Sequence, residues 1–217
     1  MHLKLVTLVF CVIAAEFVLC KKRYQTKNKD VWEIMKRSDV FFLVRRTYRW
    51  SADRSVCSYI RVLEKDKGNK TLLTLSGNYN TGTTDYNKHK IYVTTRKGKG
   101  RKRNHMLLST ERYNGPGFEY KAIFDDGEGC SILKITKITQ EKVPQRWVGQ
   151  CEMWATNNTA YQLNVMADCE VKYFKMCKPN TTIEDTPYVI NCKEPPNDME
   201  TSTLPRMLRT AADQGFK

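Results

Sequence analysis

Six cysteines, three Asn-x-Thr sequons and one dense run of cations are the residues of this chain whose types and spacing most directly dictate chemistry. Cys57, Cys130, Cys151, Cys169, Cys177 and Cys192 follow a leader that holds two more, Cys11 and Cys20. None of the six stands in the close Cys-x-x-Cys spacing of a zinc site, so an even set of this kind reads as three disulfides formed in an oxidising compartment, with no metal. The sequons at Asn69, Asn157 and Asn180 fit the same compartment as glycan acceptors. The run Arg96-Lys97-Gly98-Lys99-Gly100-Arg101-Lys102-Arg103 places six cations in eight residues. It is either a solvated turn or, through Arg101, Lys102 and Arg103, a patch for heparan sulfate, an anionic membrane or an acidic protein. Catalytic patterns are missing. The three histidines are His2, His89 and His105, and there is no Gly-x-Ser-x-Gly elbow, His-Glu-x-x-His pair or phosphate-cradling glycine loop, so neither an enzyme nor a cofactor is expected.

The start of the chain sets the compartment. Met1 to Lys4 are weakly basic, Leu5 to Leu19 form an apolar run, and Lys21, Lys22 and Arg23 follow at once. This is the pattern of a signal peptide over residues 1–20 and of a secreted protein. A cut after Cys20 leaves six cysteines, whereas a cut after Ala15 leaves a stray seventh. The run is short for a membrane span, which needs about 20 apolar residues, and no later stretch replaces it. The formal net charge of +14 survives removal of the leader, because one Lys and one Glu leave together. That charge invites a nucleic-acid reading, which secretion makes unsuitable.

The elements that must position these residues are mostly strands. Asp30 caps a short helix carrying Val31, Trp32, Ile34 and Met35. Alternation then begins, with Val40, Phe42, Val44, Arg46 and Tyr48 on one face and Phe41, Leu43, Arg45 and Thr47 on the other. Seven further strands are predicted over 57–64, 71–79, 88–96, 104–112, 118–125, 130–136 and 147–155, separated by Gly, Asn and Asp clusters. From Ala160 to Lys175 the spacing turns helical, with Leu163, Met166, Val171 and Phe174 sharing a face. A short extended piece runs from Tyr188 to Cys192, and residues 195–217 read as a flexible tail. The fold class is therefore all-β: an eight-stranded antiparallel up-and-down barrel with a C-terminal helix packed outside, occupying residues 21–194. Such a barrel has an interior just wide enough for one small ligand.

The chain resembles the tick salivary lipocalins that include the histamine-binding proteins. The marks are Asp30-Val31-Trp32 ahead of the first strand, the run Phe41 to Tyr48, the segment Cys151-Glu152-Met153-Trp154, and Cys169, Phe174, Cys177 and Tyr188 to Cys192 at the end. The resemblance implies a secreted, glycosylated, monomeric scavenger of a small host mediator. Histamine or another biogenic amine is the family default. It also implies the disulfides Cys57 with Cys192, Cys130 with Cys169 and Cys151 with Cys177. If Cys130 and Cys151 point outward to a helix, alternation turns Ser131, Leu133, Glu152 and Trp154 into the lumen.

Amine-binding relatives pair Cys-Asp on one strand with Glu-Leu-Trp or Glu-Leu-Tyr on the next. Here the first half reads Cys130-Ser131, one carboxylate fewer, and Lys88-His89-Lys90 is basic where a further acid is placed. Glu152 is then either the counter-charge of a ligand or the salt-bridge partner of Arg46 or another inward cation. Trp32, Tyr48, Phe118 and Trp154 offer aromatic faces to a ligand or pack as core, with Trp32 also suited to plug the closed end. Arg46, if inward, has a fork suited to a carboxylate, which makes an anionic lipid such as a leukotriene or fatty acid the alternative ligand.

Overall fold

The computed structural model describes residues 30–49, 55–80, 86–98, 102–179, 184–189, 191, 192 and 195. The leader, the sequon at Asn180, Arg101 and the tail beyond Pro195 lie outside them. Helix α1 (Val31–Lys36) starts where Asp30 accepts hydrogen bonds from the Trp32 and Glu33 amides, and it buries Val31, Trp32, Ile34 and Met35. Eight strands follow: β1 (Val40–Arg46), β2 (Ser55–Asp66), β3 (Thr71–Asn80), β4 (Tyr86–Arg96), β5 (His105–Ser109), β6 (Phe118–Asp125), β7 (Cys130–Ile138) and β8 (Cys151–Thr156). Each pairs antiparallel with the next and β8 returns to β1, which closes the barrel and leaves no sheet edge. Two short pieces, a 3-10 turn (Gln145–Trp147) and α2 (Asn157–Ala160), precede the outer helix α3 (Leu163–Cys177).

Alternation along the strands divides the apolar residues into two layers. The inner layer fills the barrel with Phe41, Leu43, Ile60, Val62, Leu72, Val93, Met106, Phe118, Tyr120, Ala122, Leu133, Ile135 and Trp154, with α1 inserted at one end. The outer layer places Val40, Phe42, Val44, Ile132 and Met153 beneath Met166, Cys169 and Tyr173 of α3. Three disulfides tie this layer together, Cys57–Cys192, Cys130–Cys169 and Cys151–Cys177. They are the pairs that the resemblance implied.

The departures from the sequence reading have local causes. In β1 the register against β8 shifts between Leu43 and Arg45, a bulge that reverses the faces beyond it. Val40, Phe42 and Val44 stay outside, whereas Tyr48 joins Phe41 and Leu43 in the inner cluster. The last predicted strand begins four residues late, at Cys151, because Trp147 closes a 3-10 turn. The fifth is trimmed to His105–Ser109. Helix α3 presents Met166, Cys169 and Tyr173 to the barrel, so Val171 and Phe174 lie on its exposed side. The piece near Tyr188 is held by disulfide and backbone contacts, Cys57 N to Pro187 O among them, and not by a ladder.

Gly117 shows how tightly the barrel is laced beside the inner layer. Its amide donates to Thr139 Oγ1 at 3.0 Å, and a β-carbon there would run into the Leu108 carbonyl oxygen. Gly117→Ala is expected to destabilise by about 1–3 kcal/mol, since backbone cannot yield as a side chain can. A urea melt of the variant checks this, and an unshifted midpoint would contradict it.

Candidate functional site

Strand alternation carries Glu152 and Trp154 of β8 into the barrel, opposite Leu133 and Ser131 of β7. Glu152 is only 4% exposed. One carboxylate oxygen accepts hydrogen bonds from the Tyr48 hydroxyl and, at 3.1 Å, from the Tyr120 hydroxyl. The other accepts from Trp154 Nε1 at 2.9 Å. All three donors are neutral, and no Lys, Arg or His among the described residues forms an ion pair with this carboxylate. Aromatic faces surround the cluster: Tyr48 packs on Trp147 with ring centroids 5.0 Å apart, and Phe118 stacks on Tyr120 at 6.2 Å.

Burial, and after it the Glu152 charge, holds both the Tyr48 and Tyr120 hydroxyls well above the usual tyrosine range. They therefore remain protonated donors to Glu152 across physiological pH. Their unfolded counterparts ionise near pH 10, so the stability they contribute is present below that value and is lost as the pH climbs toward their folded values. Urea midpoints should thus fall above about pH 10 and fall less steeply in Tyr120→Phe. An identical alkaline slope in both proteins would show that Tyr120 titrates normally.

Arg46 is directed elsewhere than a lipid carboxylate would require. Its guanidinium donates to Asp185 Oδ2 from Nε at 2.9 Å and from Nη2 at 2.5 Å, and the two backbones bridge reciprocally. Its guanidinium carbon lies 5.5 Å from the Tyr48 ring centroid, so it lies against the aromatic cluster without pairing with Glu152.

At the α1 end, Ser131 stands beside a buried carboxylate that is already paired. Asp125, fully buried and paired across the sheet with Ser131, receives a two-pronged ion pair from Arg37 and a hydrogen bond from Ser131 Oγ at 3.2 Å. A small apolar cavity of about 20 Å³ lies here, bordered by Met35, Phe41, Ile60, Met106, Leu133 and Trp154 among others. That is room for about one water, so any ligand must move side chains to enter. Trp32 is buried in α1 at this end, with the Lys70 ammonium 4.9 Å from its ring centroid. His89 faces the interior from β4 opposite Ser76, and burial pushes its imidazole below the usual range.

Of the residues singled out from sequence, the structure brings Tyr48, Glu152 and Trp154 together, places Phe118 beside them through Tyr120, and sets Ser131 in the α1-end cavity. Tyr120 and Trp147 were missed. Tyr120 alternates with Phe118 on one strand face, a readable signal; Trp147 sits in a 3-10 turn with no periodicity to mark it. Outside the lumen, Asn69 is exposed in the β2–β3 turn, whereas Asn157 is half-buried and its Oδ1 is enclosed without a hydrogen-bond partner. Lys102 is exposed, but Arg103 donates to the Thr95 carbonyl at 3.0 Å. No helix among the described residues is long and apolar enough to cross a membrane.

Residues 20–194 match the sequence profile of the family described as tick histamine binding protein. No curated protein matches. Among solved structures, the chain is similar to Japanin from Rhipicephalus appendiculatus bound to cholesterol, with 11% identity over 72% of this chain and 96% of that one and a TM-score of 0.47. It is also similar to lobster apocrustacyanin A1 (10% identity, 70% and 76% covered, TM-score 0.44) and to insecticyanin from the tobacco hornworm Manduca sexta (7%, 76% and 83%, TM-score 0.47). With a family match spanning most of its length and a closed eight-stranded barrel beneath an outer helix, the chain belongs to the tick histamine-binding protein family, and it is a lipocalin-type binder of small ligands.

Proposed function

We propose that this barrel sequesters a small organic cation of the biogenic-amine class, with histamine the family default, and that Glu152 supplies the counter-charge. The observation that carries the reading is a buried carboxylate held only by neutral donors and walled by aromatic rings. A desolvated carboxylate without a cation is costly, and an ammonium or imidazolium entering beside it offsets that cost. Tyr48, Trp147, Trp154 and the Phe118–Tyr120 stack add cation–π attraction. The binder acts as a secreted salivary scavenger, removing a host mediator by stoichiometry and so blunting inflammation, which requires affinity and abundance without turnover.

The anionic-lipid reading rests on Arg46, and the Asp185 pair already occupies that fork. A long acyl chain also needs far more displacement of the inner layer than a small amine does. Calorimetric titration with histamine, serotonin, leukotriene C4 and oleate tests the choice. One saturable site for an amine, with no heat from oleate or the leukotriene, is the expected outcome. Saturation by the lipids alone would sink the amine reading.

A further inference from the structure

The outer wall of β4 to β7 carries a row of basic side chains that the lumen does not explain. The strand registers set Arg96 opposite His105, His105 opposite Lys121, and Lys121 opposite Lys134. These four therefore stand abreast on neighbouring strands, about 4.8 Å from one to the next. Their neighbours Met106, Tyr120, Ala122, Leu133 and Ile135 point into the barrel, and Lys121 and Lys134 are exposed. Glu119 partly neutralises one end, lying 3.2 Å from His105 and 3.9 Å from Arg96. Lys121 and Lys134 have no carboxylate partner among the described residues.

The row continues at both ends. Lys97 and Lys102 are exposed at the β4–β5 connection. At the far end Lys134 is opposite Cys151, whose disulfide to Cys177 brings up the last turn of α3 with exposed Lys175 and Lys178. Exposed Lys137 stands on β7 opposite Glu119. Two lysines directly opposite each other destabilise an antiparallel pair. A surface that keeps such a pair unscreened, in line with further cations, suits an anion that bridges them.

We propose that this row is a docking strip for a linear sulfated polysaccharide. The row crosses four of the barrel's eight strands and so bends around nearly half of its circumference. A flat anionic membrane touches only part of such a convex arc, whereas a flexible chain follows it. Single-stranded nucleic acid is held by aromatic side chains that stack on its bases, and the row between Arg96 and Lys134 has no exposed aromatic residue.

The test is retention of the full protein on immobilised heparin across a salt series. Lys121→Gln combined with Lys134→Gln should elute at lower salt and reduce the slope of log affinity against log salt by about two, one for each cation removed. Lys65→Gln, which removes a cation on β2 paired with Asp39, should leave the slope unchanged. The double variant should unfold at the same or a higher urea concentration, since a repulsion has been removed. Unchanged retention of the double variant overturns the proposal, as does an equal drop in Lys65→Gln, which would make net charge the cause. If single-stranded oligonucleotide or phosphatidylserine vesicles bind as tightly and weaken as much in the double variant, the polysaccharide assignment is wrong.

Discussion

Glu152→Gln is expected to weaken amine binding by roughly 10- to 100-fold, the loss that follows when a charge-assisted hydrogen bond becomes a neutral one in a dry site. The substitution keeps the shape and one acceptor oxygen, so Tyr48 and Tyr120 retain a partner where they meet the same carboxylate oxygen. Binding of an uncharged probe should change little. Stability separates this role from a structural one. Breaking a buried ion pair costs about 3–5 kcal/mol, because the partner charge is left stranded. Here no cation is stranded among the described residues and only the Trp154 Nε1–H loses its acceptor, so the unliganded variant should lose no more than about 1–3 kcal/mol, less than a broken ion pair costs. Calorimetric titration and a urea melt on the same sample decide it. A variant that binds amines normally, or one that loses stability as a broken ion pair does, is incompatible with the proposed role.

Removing the Cys57–Cys192 disulfide should be the most damaging change to the scaffold. It joins positions 135 residues apart, against 39 for Cys130–Cys169 and 26 for Cys151–Cys177. Loop-closure entropy then assigns about 5 kcal/mol to the first and about 3.5–4 kcal/mol to each of the others, as upper values. The effect reaches the ligand site as well. Cys192 anchors the segment that carries Asp185, and Asp185 pairs with Arg46. Cys57→Ser with Cys192→Ser should therefore unfold at the lowest urea concentration of the three double variants and also bind amines more weakly, as Arg46 becomes able to compete for the carboxylate. Equal destabilisation in all three pairs would show that loop length does not govern their contributions.

Much of this site was readable in the chain because cysteines report direction. Once Cys130 and Cys151 are taken to face an outer helix, alternation leaves Ser131, Glu152 and Trp154 no side but the lumen, and the structure has them there. Tyr48 required more than alternation. A strand read without its bulge puts Tyr48 beside Phe42, on the wrong face, and only the pairing of β1 with β8 exposes the shift. The Arg37–Asp125 pair joins residues 88 apart and has no local signature. The same holds for Arg46 with Asp185, 139 apart, which is why Arg46 looked available to Glu152 or to a lipid carboxylate. The basic row is a further case. Arg96, His105, Lys121 and Lys134 are dispersed in sequence and come abreast only through register, while the dense run 96–103 drew attention by local composition.

The central claim is that an organic cation sits against the Glu152 carboxylate inside the barrel. A crystal structure of the protein soaked with histamine tests it most directly. The account predicts a ligand nitrogen at hydrogen-bond distance, about 2.7–2.9 Å, from a Glu152 oxygen, with a ring of Tyr48, Trp147 or Trp154 against the cation and the Arg46–Asp185 pair intact. Histamine found outside the lumen, or Glu152 closed off by Arg46 with the amine elsewhere, would contradict it.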